Sequence, residues 1–343
     1  MLELNNWKEE AERLRFDLNK PWAAIAGEMQ SLFPGMDKQQ ILEKVRGYLR
    51  THDRYKTKGK IVFENKKEPT TEDIDAFYET MKLQNAAIMK LETKQNKASI
   101  RLDVDKPILL NLWGDWHLGA KGVDYKQHDE DEELINETEG SYFIGMGDYK
   151  DNGNGFVIPQ SPQENTISTD MQDKIVERKF QRTADKWLAV IRGCHDDWDK
   201  RNANKDFVQN LCDITNSINL WHGGIVNLSV GDAEYRIGVR HKYKNESGLN
   251  TTNTQRSFVN EFGQCDIVGV GHKHFCEVHH LSRMGEETVY MRSGTYKLYD
   301  EYGQKLAGYE GAYGVPSCIL YPDKKLIIPF RDLKNAVKVF RGL

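Results

Sequence analysis

Ile108-Leu109-Leu110-Asn111-Leu112-Trp113-Gly114-Asp115-Trp116-His117 decides the fold. A short, mostly apolar run ends at a glycine and is followed at once by an acid and a histidine. A run this short, closed by a turn residue, reads as a buried strand. The same grammar recurs along the chain. Tyr142–Met146 leads into Gly147-Asp148-Tyr149-Lys150-Asp151-Asn152, and Leu188–Ile191 leads into Gly193-Cys194-His195-Asp196. Tyr235–Val239 ends near His241, and Ile267–Val270 leads into Gly271-His272-Lys273-His274. Val289–Met291 is a further run, and helical patterns lie near Met171–Trp187 and Asp206–Asn216. Strands alternating with helices predict a layered α/β domain.

Sites in α/β proteins form on the loops beyond the C-terminal ends of strands. Here five predicted strand ends carry Asp, His or Cys, so one point of convergence is expected. Carboxylates and neutral imidazoles are the ligands of Zn²⁺, Mn²⁺ and Fe in hydrolytic sites. Two such ions about 3.5–4 Å apart clamp a phosphate and acidify a water.

The ordered set Asp115-x-His117, Gly147-Asp148-x-x-Asp151-Asn152, Gly193-Cys194-His195-Asp196, His241 and Gly271-His272-x-His274 resembles the signature of calcineurin-like metallophosphoesterases, from about residue 107 to the C-terminus. The resemblance implies a four-layer α/β/β/α sandwich. It implies two divalent metal ions (Mn, Zn or Fe) and attack by a metal-bound hydroxide on a phosphate ester. Carried over by position, Asp115, His117 and His274 would hold the first metal, and Asp148 would bridge. His241, His272 and Cys194 would hold the second. His195 would protonate the leaving oxygen, oriented by Asp196. Asp151 and Asn152 would support the site or touch substrate. A phosphate-binding role is considered for Arg256, in a loop over the site.

One position departs from the family, which has Asn where this chain has Cys194. Three readings stay open: Cys194 ligates the second metal as a thiolate and favours zinc or iron, it stands aside for water, or the second site is weakened. Asn152 stands where Ser/Thr protein phosphatases of this family carry the Arg that grips a phosphomonoester.

Upstream of the domain, residues 1–55 read as helical. Trp7, Ala11 and Leu14 recur at helical spacing, as do Trp22, Ile25, Ala26 and Met29. Phe33-Pro34-Gly35 breaks the pattern, and Asp37 is placed to cap a helix carrying Ile41, Val45 and Leu49. This is a helix-turn-helix-like module. Lys38, Lys44, Arg46 and Arg50 are its candidate nucleic-acid contacts. The competing reading is a packing or dimerisation module. Residues 56–105 read as a lysine-rich linker, with Lys56, Lys58 and Lys60, followed by a polar connecting helix from about Glu72 to Gln95 where oligomerisation is left open. Residues 106–343 form the metallophosphoesterase domain.

The 343 residues carry a net charge of −4, so no global positive field announces nucleic-acid binding. Five scattered cysteines form no C-x-x-C pair and fit a reducing compartment. The apolar runs are too short to span a bilayer, and Met1 to Glu10 lacks the basic start and apolar stretch of a signal peptide. A cytoplasmic location without membrane partners is expected. The acidic run Asp129–Glu133 reads as a solvated loop. His279-His280 reads as a polar strand edge, and Arg292–Lys297 as a strand and turn; that last stretch also resembles bacterial and phage members of the family. Pairing of the helical module with such a domain resembles phage or prophage proteins. A nuclease or other phosphodiesterase acting on nucleic acid is therefore the leading expectation. Its competitors are a protein or small-molecule phosphomonoesterase and a DNA-binding or assembly protein with a vestigial metal site.

Overall fold

The computed structural model describes residues 6–56, 68–91, 95–153, 155, 157, 159, 161–247, 250–283, 286–299 and 311–343. Lys58 and Lys60 of the expected linker lie outside the described residues. The chain divides into two compact units, Met1–Ile88 and Met89–Leu343.

In the first unit, helices α1 (Asn6–Glu12), α2 (Trp22–Glu28) and α3 (Lys38–Lys56) surround a small core. Ala11, Leu14, Ile25, Met29, Ile41, Val45 and Leu49 fill it, which is the set with helical spacing in the sequence. Asp37 starts α3 as expected. Its Oδ1 accepts from the Gln39 and Gln40 amides, each at 2.8 Å, and Gln40 Oε1 accepts from the Asp37 amide at 3.1 Å. This reciprocal pair satisfies amides that a helix start leaves open. Helix α4 (Thr71–Leu91) follows, and each of its residues from 71 to 90 is exposed.

The second unit holds two six-stranded sheets. Strands β2 (Ile108–Trp113), β3 (Ser141–Gly145), β4 (Trp187–Val190) and β5 (Ile218–Asn219) run parallel. Strands β11 (Ser317–Leu320) and β12 (Ile327–Phe330) extend them antiparallel beyond β2. The second sheet has the order β1 (Lys97–Leu102), β6 (Gly223–Val230), β7 (Ala233–Arg240), β8 (Ile267–Val270), β10 (Glu286–Arg292), β9 (Glu277–Arg283).

The alternation of side chains across each strand sets the layers. Ile108, Leu110 and Leu112 of β2 face a core shared with Val226, Leu228, Ile237, Val239 and Ile267 of the other sheet. Leu109 and Trp113 face the opposite way. They pack with helices α5 (Tyr125–Asn136), α6 (Thr169–Arg182), α8 (Phe207–Thr215) and α10 (Leu333–Phe340) through Ile135, Phe180, Leu211 and Val337. Between α6 and α8 lies the short α7 (Asp197–Ala203). On the far side, α9 (Asn253–Phe262) lays Phe258 over Ile225, Val268 and Tyr290 of the second sheet. The result is the four-layer α/β/β/α sandwich that was expected. β2 is buried on both faces, which explains its unbroken apolar run.

Two expectations are corrected. Residues 97–102 are not linker: β1 pairs in parallel with β6 and forms an edge of the second sheet. Asp129–Glu133 is not a solvated loop but part of α5, which Asp124 caps by accepting from the Gln127 amide. Asp131 and Glu132 are buried there. Asp131 accepts from Tyr296 Oη at 2.7 Å and from Gln127 Nε2 at 3.0 Å, while Lys179 reaches Glu132. His279 and His280 lie on β9, an edge strand, as expected.

Leu112 is fully buried between the sheets, and a Cβ on Gly269 of the facing β8 would run into its Cδ1. Leu112→Ala is expected to lower stability by about 2–5 kcal/mol. Urea unfolding followed by tryptophan fluorescence measures this, and a loss well under 1 kcal/mol would contradict so close a fit.

Candidate metal centre

Five loops leave the two sheets at one end of the sandwich. They follow β2, β3 and β4 of one sheet and β7 and β8 of the other. Asp115, His117, Asp148 and His274 bring one donor atom each to within 4.8 Å of all the others. Cys194, His241 and His272 form a second such group. In the first, His117 Nε2 lies 3.0 Å from His274 Nε2, and His274 Nε2 lies 3.4 Å from Asp115 Oδ1. In the second, Cys194 Sγ lies 3.7 Å from His272 Nδ1. Asp148 joins the groups: its Oδ2 is 3.9 Å from His117 Nε2 and 3.0 Å from His241 Nε2.

The backbone at these residues is unusual. Asp115, His117, Asp148, His272 and His274 all have positive φ, between 50° and 73°. The left-handed region is disfavoured for side-chain-bearing residues, though Asp, Asn and His tolerate it best. Each instance costs about 1–3 kcal/mol and persists only where neighbours enforce it. The enforcing contacts are present. The Asp115 amide donates to Gly147 O at 2.7 Å, and the His117 amide to Asp148 O at 3.0 Å. Thr295 Oγ1 donates to Asp115 O at 2.8 Å, and the His272 amide to Asp115 Oδ1 at 3.0 Å. His241 is fixed by its Nδ1 on Met146 O at 2.8 Å.

Glycines admit the loops to one another. Gly147, at φ +88°, lies so near Gly193 that a Cβ would strike the Gly193 amide nitrogen, and a Cβ on Gly193 would overlap Asp148 Oδ1.

The donor set fits cations. Asp115 Oδ2 is buried without a hydrogen-bond partner, and so is His241 Nε2, whose approach to Asp148 lacks hydrogen-bond alignment. Buried polar atoms left this way call for a missing partner. Burial, followed by the neighbouring His195 and His274, lowers His117 to about 4, despite its bond to Asp151. Burial and His241 likewise depress His272. Both imidazoles are therefore neutral and offer lone pairs. Burial alone would raise Asp148, but His241 and His195 beside it hold its carboxyl well below the usual range.

The residues around the cluster make distinct contacts. His195 is partly exposed. Its Nδ1 meets the Asp151 carbonyl oxygen, and its ring lies tilted against Trp198, 4.1 Å between centroids. Asp196 does not orient that ring, contrary to expectation. It accepts from the amides of Asp148 at 2.7 Å, Gly193 at 2.8 Å and Tyr149 at 3.2 Å. Burial, with Asp148 nearby, raises Asp196 to about 6. Asp151 Oδ1 lies 3.1 Å from His117 Nδ1 and fixes that ring. Asn152 donates from Nδ2 to His195 O and Asp199 Oδ1, both at 2.9 Å.

Lys297 was not singled out from the sequence. It is buried, and its Nζ lies 3.1 Å from Asp151 Oδ1. Its neighbour Tyr296 accepts from Trp113 Nε1 at 2.8 Å and donates to Asp131. The signal was the Arg292–Lys297 stretch, read there only as strand and turn. Contrary to expectation, Arg256 lies not in a loop but within α9, where it is exposed beside Asn245, Ser247 and Asn260. On α3, Lys38 and Arg50 are exposed, Lys44 stands over Phe33 and Trp7, and Arg46 stands over Trp22.

Fold and site together define an α/β/β/α sandwich with a seven-residue Asp/His/Cys cluster at one end. No family model matches the sequence, and no curated protein does. Solved structures similar to this chain include Vps29 of Entamoeba histolytica complexed with zinc, at 11% identity and TM-score 0.36, covering 65% of this chain and 98% of that one. A predicted phosphoesterase of Streptococcus pneumoniae matches at 10% identity and TM-score 0.32, covering 65% and 97%. The nuclease MPE of Pseudomonas putida matches at 12% identity and TM-score 0.29, covering 64% and 87%. Likeness at this level carries nothing about activity. No helix among the described residues is long and apolar enough to cross a membrane.

Cys194 is the one cysteine not buried. Burial pushes Cys212 and Cys276 up to about 12 and raises Cys265 and Cys318 as well. Iodoacetamide is expected to modify Cys194 first in the native chain, and Zn²⁺ to slow that reaction if Cys194 is a ligand. Peptide mass analysis reads both; an unchanged rate with Zn²⁺ bound would remove Cys194 from the ligand set. Gly193→Ala is expected to weaken metal binding about 10–100-fold by displacing Asp148, as read by calorimetric titration.

Proposed function

We propose that this chain is a metal-dependent phosphoesterase that binds two divalent cations and cleaves phosphodiesters, with nucleic acid as the substrate class. The carrying observation is the convergence of seven Asp, His and Cys donors from both sheets on one point, with Asp148 within 4 Å of both groups. Asp115, His117 and His274 would hold one cation, Cys194, His241 and His272 the other, and Asp148 both. The thiolate favours zinc or iron at the second position. Bound there, the two cations would polarise a phosphoryl oxygen and acidify a water.

The chain's own groups supply the rest. His195, with Nδ1 on the Asp151 carbonyl, has Nε2 available to deliver a proton to a leaving oxygen. The Asp151 carboxylate lies 3.9 Å from His195 Nδ1. Asp196 acts by positioning, since it holds the loop that presents Asp148. Asn152 puts an engaged amide where an arginine would grip a phosphomonoester dianion, which favours the less charged diester. Lys38 and Arg50, exposed on α3, support a nucleic-acid substrate.

The test is hydrolysis of bis-p-nitrophenyl phosphate against p-nitrophenyl phosphate, with single-stranded and duplex DNA in parallel, under Mn²⁺ or Zn²⁺. Diester cleavage is expected to vanish in Asp148→Asn. In His195→Ala it should fall about 10²–10⁴-fold while calorimetry still counts two bound cations. Turnover of the monoester alone would refute the diester reading. Activity that survives Asp148→Asn would refute the site itself.

A further inference from the structure

Lys297 and Asp151 pair in the interior. Their side chains are 3% and 1% exposed, and Lys297 Nζ lies 3.1 Å from Asp151 Oδ1. Lysines are almost never buried, and a buried ion pair is often no more stabilising than apolar residues of the same volume. Stability alone therefore gives no reason for a lysine at this place. The backbone around it is tied down. The Lys297 amide donates to Thr295 Oγ1 at 3.0 Å, and Thr295 Oγ1 donates to Asp115 O at 2.8 Å. The Tyr296 amide donates to Asp115 O at 3.2 Å, and the Leu298 amide to Gly122 O at 2.9 Å. This strap, running on from β10, brings the ammonium to the loop after β3.

Asp151 addresses two histidines. Its Oδ1 lies 3.1 Å from His117 Nδ1 and 3.9 Å from His195 Nδ1, while its carbonyl oxygen meets His195 Nδ1. A carboxylate oxygen has two lone pairs. On Oδ1, Lys297 and His117 take both. We propose that Lys297 is a positioning residue: it commits the Asp151 carboxylate to His117 and leaves His195 to the Asp151 carbonyl. Each ring then donates from Nδ1. His117 presents Nε2 beside Asp148 and His274, and His195 keeps Nε2 for a leaving oxygen. The use made of the two rings rests on the phosphoesterase reading above. Without the ammonium, the carboxylate has His195 Nδ1 as a second partner within reach, and His117 loses its fixed orientation.

Heteronuclear NMR of the histidine rings in the metal-free chain, assigned with His117→Gln and His195→Gln, reads the tautomers. Calorimetric titration with Zn²⁺ reads the cation affinities. In the wild type both rings are expected as the Nδ1–H tautomer. In Lys297→Met, His117 should lose that single tautomer. One cation should then bind about 10–100-fold more weakly, the usual effect of losing a partner behind a ligand, with the other unchanged. Lys297→Met should add nothing to the effect of Asp151→Asn, because both act through one carboxylate. The double variant buries no unpaired charge, so this comparison decides even where Lys297→Met alone does not fold. An unchanged His117 signal overturns the proposal, as do unchanged affinities. Equal weakening of both cations, or a further loss when Lys297→Met is added to Asp151→Asn, would make Lys297 a prop of the strap and overturn it too. A wild type that binds no cation refutes the phosphoesterase reading alone, because the ring spectra of the metal-free chain still judge Lys297.

Discussion

The buried carboxylate of Asp196 ties together the loops on which the centre stands. It collects the amides of Gly193, Asp148 and Tyr149, and Asp148 in turn accepts from the His195 amide at 2.8 Å. The loop after β3 and the loop after β4 thus hold each other through two acids and four amides. A buried carboxylate is costly unless it is fully hydrogen-bonded, and backbone amides are the donors that burial leaves most in need of a partner. Each side of the lock solves the other's problem. The remaining members of the cluster are arranged around it: His241 on Met146 O, His117 between Asp148 and Asp151, and Asp115 against Gly147.

Much of this was legible in the chain, and the reason is local. β2, β3, β4, β7 and β8 each run directly into their donors, so strand and ligand appear as one contiguous phrase. What was illegible depended on partners distant in sequence. β1 has a half-exposed, mixed pattern and becomes a strand only by pairing with β6, more than 120 residues on. The acids of α5 look solvated until Tyr296, Tyr313 and Lys179 arrive to meet them. Lys297 looks like any surface lysine until its ammonium is found against Asp151. The task of Asp196 was misjudged for a related reason: sequence adjacency to His195 suggested a side-chain pair, whereas the carboxylate turns to the backbone.

The first unit shows the same division. Its helices follow from spacing and from the cap at Asp37, both local signals. The lysines and arginines of α3 were read as a possible reach toward phosphates, yet two of them, Lys44 and Arg46, lie over rings of their own unit. Cationic heads over aromatic faces help hold a small core together and keep their charge while doing so.

The left-handed backbone at Asp115, His117, Asp148, His272 and His274 bears on how this centre can drift over evolutionary time. At those five positions a β-branched or bulky newcomer is opposed by the main chain before any chemistry is considered. The residue types that tolerate the shape best, Asp, Asn and His, are themselves donors. Loop conformation therefore acts as a filter that favours side chains able to donate to a cation at these positions. Cys194 and His241 are not under that filter, since neither has positive φ. Position 194 is thus one where the backbone leaves side-chain identity free to change.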